Sequence, residues 1–242
     1  MIGRYVALSP YVQGWLHDVV GQPDSTIVAN WRGVDVTALQ PGRPRPALVA
    51  QLGIGAGPVL ALVGPLEAVG RLDVAVGVLA QLRRSLPETM LLVTGDGPGR
   101  ARLAGAAQAA GLLDAVVFAA PQSLGPLLDL AHIALVIDPG PNLARPVLEA
   151  LALAKPLLVV TDRADEEAMA AGVVQQGLNG WVLPAQPAII AATLGGMLPL
   201  TGLLARMGAA SRQLAERDFN LARHTQALVP IYQQAVGKPW AD

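Results

Sequence analysis

The chain has 242 residues, 52% of them apolar, and its 17 basic and 18 acidic side chains leave a formal net charge of −1. This apolar content can bury a substantial core, which argues against disorder, and a near-neutral charge without a basic stripe argues against a nucleic-acid-binding protein. The chain has no cysteine, which excludes disulfides and thiolate chemistry, and its N-terminus lacks a signal-peptide pattern, which predicts a cytoplasmic location.

Short apolar runs typical of strands alternate along the chain with segments of helical periodicity. We predict strands at Tyr5–Leu8, Thr26–Ala29, Val59–Val63, Met90–Thr94, Ala115–Phe118, Ile133–Ile137, Leu157–Val160 and Gly180–Leu183. Helices are predicted near Pro10–Val20, Leu72–Leu86, Gly99–Ala110, Leu124–Ala131, Ala144–Ala154, Asp165–Gly172 and Ala188–Leu198, with two more through Arg212 and Gln233. Buried strands that alternate with helices predict an α/β fold, a Rossmann-like, mostly parallel sheet flanked by helices.

A segment rich in proline and glycine, residues 40–58, separates the first two predicted strands from the regular alternation. We therefore assign residues 42–57 to a linker and residues 58–242 to one Rossmann-like domain. Residues 1–41 are too few to form a domain of their own. They are either an appendage of the main domain or the tail of a domain encoded elsewhere.

The stretch from Ile133 to Thr161 predicts a strand, a Gly/Pro loop, a helix that begins near Asn142, and a second strand. In a doubly wound sheet, the loop that leaves a strand and the helix N-terminus after it form an anion site, because unpaired N–H groups and the helix dipole favour negative charge. The predicted guest is a phosphate or a diphosphate. One acid, Glu149, lies one to two turns into this helix.

No charged residue occurs from Ala168 to Ala205. Proline and glycine residues break this stretch into two short pieces, so it does not predict a membrane span, which needs about 20 predominantly apolar residues. We expect instead a helix pair that packs on a partner or rests against a membrane surface, since large apolar patches on a protein surface usually mark such contacts. This would place the protein at the periphery of a membrane.

Several pieces of the sequence follow one another in an order that resembles a known family. They are VANWRGVDVTALQP at Val28–Pro41, the long segment Leu60–Leu103 with its GDGP turn, Val116–Pro139, PVLEALALAKPLLVVTD at Pro146–Asp162, GLNGWVLP at Gly177–Pro184, and Glu216–Gln234. Together they resemble the donor-binding half of retaining glycosyltransferases of the GT-B fold, the glycosyl transferases group 1. The resemblance implies the C-terminal half of a GT-B fold, with residues 1–41 as the hinge and remnant of an N-terminal domain.

Proteins of this family transfer a hexose from a nucleotide diphosphate sugar to an acceptor, and fixed donors stabilise the charge that grows on the leaving phosphate. The resemblance therefore implies a nucleotide sugar as donor substrate, no metal and no other cofactor. It places Glu149 at the second glutamate of the family's E-x7-E motif, which accepts hydrogen bonds from the ribose hydroxyls. The other implied donor-site residues are Asn142, Leu143, Ala144 and Arg145 at the helix N-terminus beside the phosphates, Gly64 after the first strand of the domain, and Phe118 to Pro121 at the base.

The sequence departs from the family at three functional positions. Pro141 stands at the first glutamate of the motif, Pro65 at the phosphate-binding arginine, and Val69 at the phosphate-binding lysine. Each lost cation removes charge-assisted hydrogen bonds of about 1.5–3 kcal/mol. Arg145 is either a solvated helix residue or a partial substitute for these cations, because a guanidinium can bind phosphate through two N–H groups. Arg71 is a second candidate, but it is expected to point to solvent.

Other chemistry-bearing residues have simpler interpretations. The glycines of the GDGP turn, residues 95–98, favour a structural role, because glycine relieves backbone strain between a strand and a helix. The three histidines lack the spacing of a metal site. Asp162 and the acids at 165–167 are expected to form a solvated helix start.

The family's acceptor-binding domain has no counterpart in the sequence. The first hypothesis is therefore a donor domain that transfers sugar only with a separate acceptor-domain protein. The alternative is a catalytically inactive relative that binds a nucleotide sugar weakly, or none, and interacts with another protein through its uncharged C-terminal surface. A third hypothesis is a nucleotide-sugar epimerase of the same architecture.

Overall fold

The computed structural model describes residues 4–30, 32–66, 71–119, 124–139, 144–164 and 170–236. The chain starts with a small unit in which β1 (Tyr5–Ala7), α1 (Pro10–Asp18) and β2 (Ile27–Ala29) form a two-stranded parallel sheet covered by one helix. Ser9 caps the helix by accepting a hydrogen bond from the Val12 amide. Leu16 and Ile27 bury the helix face against the strands.

The main sheet has six parallel strands, which are connected by helices. The elements in chain order are α2 (Pro46–Leu52), β3 (Val59–Leu62), α3 (Asp73–Leu82), β4 (Met90–Val93), α4 (Gly99–Ala109), β5 (Val116–Phe118), α5 (Leu124–Leu128), β6 (Ile133–Ile137), α6 (Arg145–Ala152), β7 (Leu157–Val160), β8 (Gly180–Leu183), α7 (Pro187–Met197), α8 (Thr201–Asp218) and α9 (Leu221–Val236). The strand order is β5-β4-β3-β6-β7-β8. This confirms the predicted α/β fold.

Alternate side chains of each strand enter two hydrophobic layers, as expected for a sheet that is covered on both faces. On one face, Leu60 and Leu62 of β3 pack in a layer with α3 and α7. On the other face, Ala61 and Val63 pack in a layer with α6 and α8. The core therefore lies on both sides of the sheet. The loops that follow the strands lie at the edge formed by the carboxyl ends of the strands.

The predicted strands and helices agree with the structure to within a few residues at their ends. The predicted helix Asp165–Gly172 lies largely outside the described residues. Helix α2 was not predicted, and it lies inside the segment that we assigned to a linker. Its Leu48 is buried against β3 and β4, Pro46 is tolerated in its first turn, and Gly53 ends it with a left-handed backbone at φ 64°. The division of the chain into segments stays a prediction.

The uncharged stretch from Ala168 to Ala205 contributes to the protein's own core. Ile190 and Leu194 of α7 are fully buried against α3, although Ile189 and Leu200 are exposed. Among the described residues, no single helix is long and apolar enough to cross a membrane. Helices α7 and α8 are long and apolar enough only when they are taken together, and the chain bends by 105° between them.

A close approach between α8 and the end of α6 gives a stability prediction. A Cβ atom on the buried Gly208 would lie 2.2 Å from the backbone oxygen of Ala154, which has no freedom to move away. We expect Gly208→Ala to lower the free energy of unfolding by about 1–3 kcal/mol. The control is Gly196→Ala in α7, where no described atom lies within 4 Å. It should raise stability by about 0.5–1 kcal/mol, because alanine favours a helix. Urea denaturation measures both, and equal effects would contradict the prediction.

Candidate functional site

The strand order places a crevice between β3 and β6. Chain connections leave these two neighbouring strands toward opposite faces of the sheet, so the loops after them diverge, which is where ligands of doubly wound sheets bind. The structure has a small pocket of about 40 Å³ at this point. It is lined by Val63, Gly64, Pro65, Leu72, Val136, Ile137, Asp138, Pro139 and Ala144.

Glycines allow the loops after β3 and β4 to approach closely. Gly64 has a φ of 125°, and a Cβ on Gly95 would lie 2.0 Å from the Gly64 oxygen. The Leu66 amide donates to the backbone oxygen of Asp96 at 3.1 Å, and the Gly97 amide donates to the Asp96 carboxylate at 2.8 Å. The GDGP turn therefore has the structural role that the sequence predicts, as a support for the loop after β3.

Arg71 joins three of the loops at this edge. Its backbone amide donates to Oδ2 of Asp138 at 2.9 Å, and its Nη2 donates to Oδ1 of Asp138 at 2.5 Å. Its Nη1 donates to Oδ2 of Asp162. The expectation that Arg71 points to solvent is therefore wrong, because its side chain is only 35% exposed and lies between two carboxylates.

These contacts determine the charge of the cluster. The hydrogen bond to Asp138 raises the pKa of Arg71 above its ordinary value, although burial acts in the opposite direction. The hydrogen bond from the Ala185 amide, followed by the contact with Arg71, lowers the pKa of Asp162. Asp162 is thus a charged, bonded group, not the freely solvated start of a helix that we predicted.

Asp138 carries a further mark of a functional position. It follows β6 directly and has a left-handed backbone, with a φ of 48°. A positive φ is uncommon for residues other than glycine, and such conformations cluster at functional sites. Asp138 was not among the site residues predicted from the sequence. Its position directly after a buried strand is the signal that could have found it.

Glu149 and Arg145, both predicted to bind the nucleotide sugar, contact each other. Arg145 Nε donates to Oε1 of Glu149 at 2.7 Å across one turn of α6. The Glu149 side chain is 14% exposed, whereas that of Arg145 is 77% exposed. The first turn offers few free amides, because Pro146 has none and the Val147 amide donates to the backbone oxygen of Ala144. The first turn of α6 therefore presents fewer backbone donors than the sequence predicts.

The predicted base-binding segment begins at the end of β5. The guanidinium of Arg100 lies 4.8 Å from the centre of the Phe118 ring, a distance typical of a cation–π contact. Gly64, Pro65, Ala144, Arg145 and Glu149 lie at the same edge of the sheet. The remaining predicted positions lie outside the described residues: Val69, Pro121, Pro141, Asn142 and Leu143.

A larger cavity, of about 460 Å³, lies at the junction of the N-terminal unit with α8 and α9. Asn30 and His224 join the two parts, because the His224 Nδ1 lies 3.0 Å from Oδ1 of Asn30. Despite its size, this cavity shares no lining residue with the pocket at the carboxyl ends of β3 and β6. We therefore place the candidate site at the crevice between β3 and β6. Within the described ranges, no cluster of three or more His, Asp or Glu side chains is arranged to hold a metal ion.

Comparison with known proteins identifies what the chain resembles. Residues 45–213, more than half of the chain, match the profile of the family described as glycosyl transferases group 1. No curated protein sequence matches significantly.

Solved structures of glycosyltransferases share the fold. A glycosyltransferase from Rickettsia africae is 16% identical with a TM-score of 0.81, and matches 96% of this chain and 63% of its own. HepE from Anabaena, solved with UDP and glucose, is 17% identical with a TM-score of 0.80 and the same coverage. Sucrose-phosphate synthase from Thermosynechococcus elongatus is 20% identical with a TM-score of 0.76, and the chain covers 58% of it. At these identities the likeness shows the fold, and the chain spans less than two thirds of each relative.

Proposed function

Since the chain belongs to the family of glycosyl transferases group 1, we propose that it binds a nucleotide diphosphate sugar and takes part in the transfer of the hexose, with retention, to an acceptor. The observation that carries this proposal is the crevice between β3 and β6. Gly64 and Ala144 line the pocket there, the mostly buried Glu149 lies on α6 beside it, and all three are residues that the resemblance assigns to the donor site. A crevice at the carboxyl ends of parallel strands is suited to a phosphorylated ligand.

The residues of this edge have separate tasks in the proposed reaction. The Glu149 carboxylate accepts hydrogen bonds from the ribose hydroxyls and thereby fixes the nucleotide. A guanidinium at this edge faces the diphosphate, because the first turn of α6 offers few free amides. As the glycosidic bond breaks, negative charge grows on the phosphate oxygen that leaves, so fixed donors stabilise this stage more than the bound substrate.

The acceptor half of the reaction is proposed to come from a second Rossmann-type domain, on this polypeptide or on another one. The N-terminal unit supports this. Within the described part of the chain, its sheet has only two parallel strands, whereas parallel sheets are usually larger and covered on both faces. Trp15 on α1 and Val19, which follows the helix directly, are 45% and 69% exposed. Such an open sheet with exposed apolar side chains is suited to continue into another domain.

A second candidate function is a relative that does not transfer sugar. The ion pairs that the arginine side chains form at the crevice favour this second function. Arg71 is bonded to two carboxylates and Arg145 to Glu149, so neither guanidinium is free of an acidic partner. Pro65, where the family has a phosphate-binding arginine, has no N–H to offer. Such a protein would bind a nucleotide sugar weakly, or another protein in its place.

Calorimetric titration of the chain with UDP, GDP and ADP tests the proposal. UDP is the first probe because HepE, which shares the fold, was solved with it. We expect micromolar binding of one nucleotide. Glu149→Ala should weaken it about tenfold, because the ribose loses a charged acceptor. Arg145→Ala should weaken it about threefold, because its exposed guanidinium acts mainly through Glu149.

The matched control is Glu88→Ala, which removes an exposed acid just before β4, at the opposite edge of the sheet. It should leave nucleotide affinity unchanged. The absence of heat with every nucleotide at millimolar concentration would contradict the proposal and favour the second candidate.

A further inference from the structure

We infer that Arg71 supplies the cation for the diphosphate, that Asp138 orients it, and that Asp162 competes with the diphosphate for the same guanidinium. This inference rests on the proposed function and assigns the phosphate ligand of that site. The sequence had favoured Arg145 for this task.

Arg71 lies beside the crevice between β3 and β6. It lies two residues before α3, beside Leu72, which lines the pocket between β3 and β6. Its guanidinium contacts Asp138, which follows β6, and Asp162, which follows β7. The guanidinium thus lies over the ends of neighbouring strands, at the crevice where the diphosphate is proposed to bind.

The two carboxylates hold Arg71 in different ways. Asp138 is 21% exposed and accepts from both the backbone amide and the guanidinium of Arg71, so it determines the position of the whole residue. Asp162 is 49% exposed, and its only hydrogen bond from Arg71 comes from Nη1. Its other oxygen, Oδ1, accepts from the Ala185 amide at 2.9 Å. Solvent and ligands can reach the Asp162 contact more easily. A phosphate oxygen can therefore replace Asp162 at Nη1 while Asp138 keeps the guanidinium in place.

The charges of the cluster predict competition. One guanidinium between two carboxylates leaves a net charge of −1, which repels a diphosphate. When the Asp162 charge is removed, the cluster becomes neutral, and Nη1 becomes available to a phosphate oxygen. Two other described cations at this edge are less suitable. Arg145 is mostly solvated and bonded to Glu149, and Arg100 lies over the Phe118 ring.

The test compares single substitutions by calorimetric titration with UDP and with inorganic pyrophosphate. Asp162→Asn removes the charge but keeps an oxygen for the Ala185 amide. We expect it to bind both probes about tenfold more tightly than the natural chain. Arg71→Ala should bind both at least about tenfold more weakly. Asp138→Asn should bind them about threefold more weakly, because Arg71 is then less well oriented.

The control is Glu88→Gln, an acid-to-amide change at the exposed acid just before β4, at the opposite edge of the sheet. It should change neither affinity, and circular dichroism should show that all variants are folded. If Arg71 served only to stabilise the fold, Asp162→Asn and Asp138→Asn would not change the affinity for the two probes in opposite directions.

The outcomes separate this inference from the proposed function. If the natural chain binds UDP and neither Asp162→Asn nor Arg71→Ala changes the affinity, the inference is wrong and the nucleotide site stands. If neither the natural chain nor Asp162→Asn binds UDP or pyrophosphate, both are wrong. Tighter binding by Asp162→Asn without sugar transfer supports the inference and favours the inactive relative.

Discussion

Replacement of Arg212 by alanine is expected to lower the free energy of unfolding by about 2–5 kcal/mol. The side chain of Arg212 is only 14% exposed on α8. Its guanidinium donates to three backbone oxygens, those of Val36 at 2.7 Å, Leu39 at 2.5 Å and Ala152 at 2.6 Å. It therefore joins the segment after β2, the end of α6 and α8. Without it, these partly buried carbonyl groups lose a charged donor.

Urea denaturation followed by circular dichroism measures this loss. Arg206→Ala is the matched control, because it removes an exposed arginine from the same helix, and its effect should stay within about 0.5 kcal/mol. Arg212→Lys should recover only part of the stability, since an ammonium cannot direct N–H groups to several carbonyls in the way of a planar guanidinium. Equal stability of Arg212→Ala and Arg206→Ala would show that the three hydrogen bonds contribute nothing.

Phe219→Ala is expected to lower the free energy of unfolding by about 3–5 kcal/mol. Phe219 follows α8 directly, is 1% exposed and packs in the same hydrophobic layer as Val34, Val36 and Leu214. Its backbone oxygen also accepts from the Val34 amide at 2.7 Å. Truncation of the ring leaves a cavity where the segment after β2 meets the last two helices, and that segment cannot collapse freely because backbone hydrogen bonds hold it.

Leu221→Ala is the control for Phe219→Ala. Leu221 lies two residues after Phe219, and its amide donates to the backbone oxygen of Val34. Unlike Phe219, its side chain is 44% exposed. Its replacement should change the stability by about 0.5 kcal/mol or less. Thermal unfolding of both variants at one protein concentration measures the difference. Both variants keep their backbone hydrogen bonds to Val34, so a loss as large for Leu221→Ala would contradict the assignment of the stability to the buried ring.

Much of the fold followed from local patterns. The strand at Ile133–Ile137 and the helix over α3 were predictable because apolar periodicity depends on neighbours in the chain. Helix α2 was missed because Pro44, Pro46 and Gly53 mark a linker as strongly as they mark the ends of a short helix. Its stability comes from Leu48, which is buried against strands that the local sequence does not show.

The candidate site was predictable only in part. Gly64 and Glu149 could be placed at the carboxyl edge, because strands and helices determine which loops gather there. Arg145 was expected to face the phosphates. In the structure its Nε donates to Glu149, because residues four apart on a helix are neighbours.

By itself, the sequence determined the alternation of strands and helices and the family. Only the tertiary structure decided which charges meet. Arg71 pairs with carboxylates 67 and 91 residues further along the chain. These partners come together because β6 lies between β3 and β7 in the sheet, and strand order is decided by the packing of the whole domain, whereas periodicity is decided by neighbouring residues.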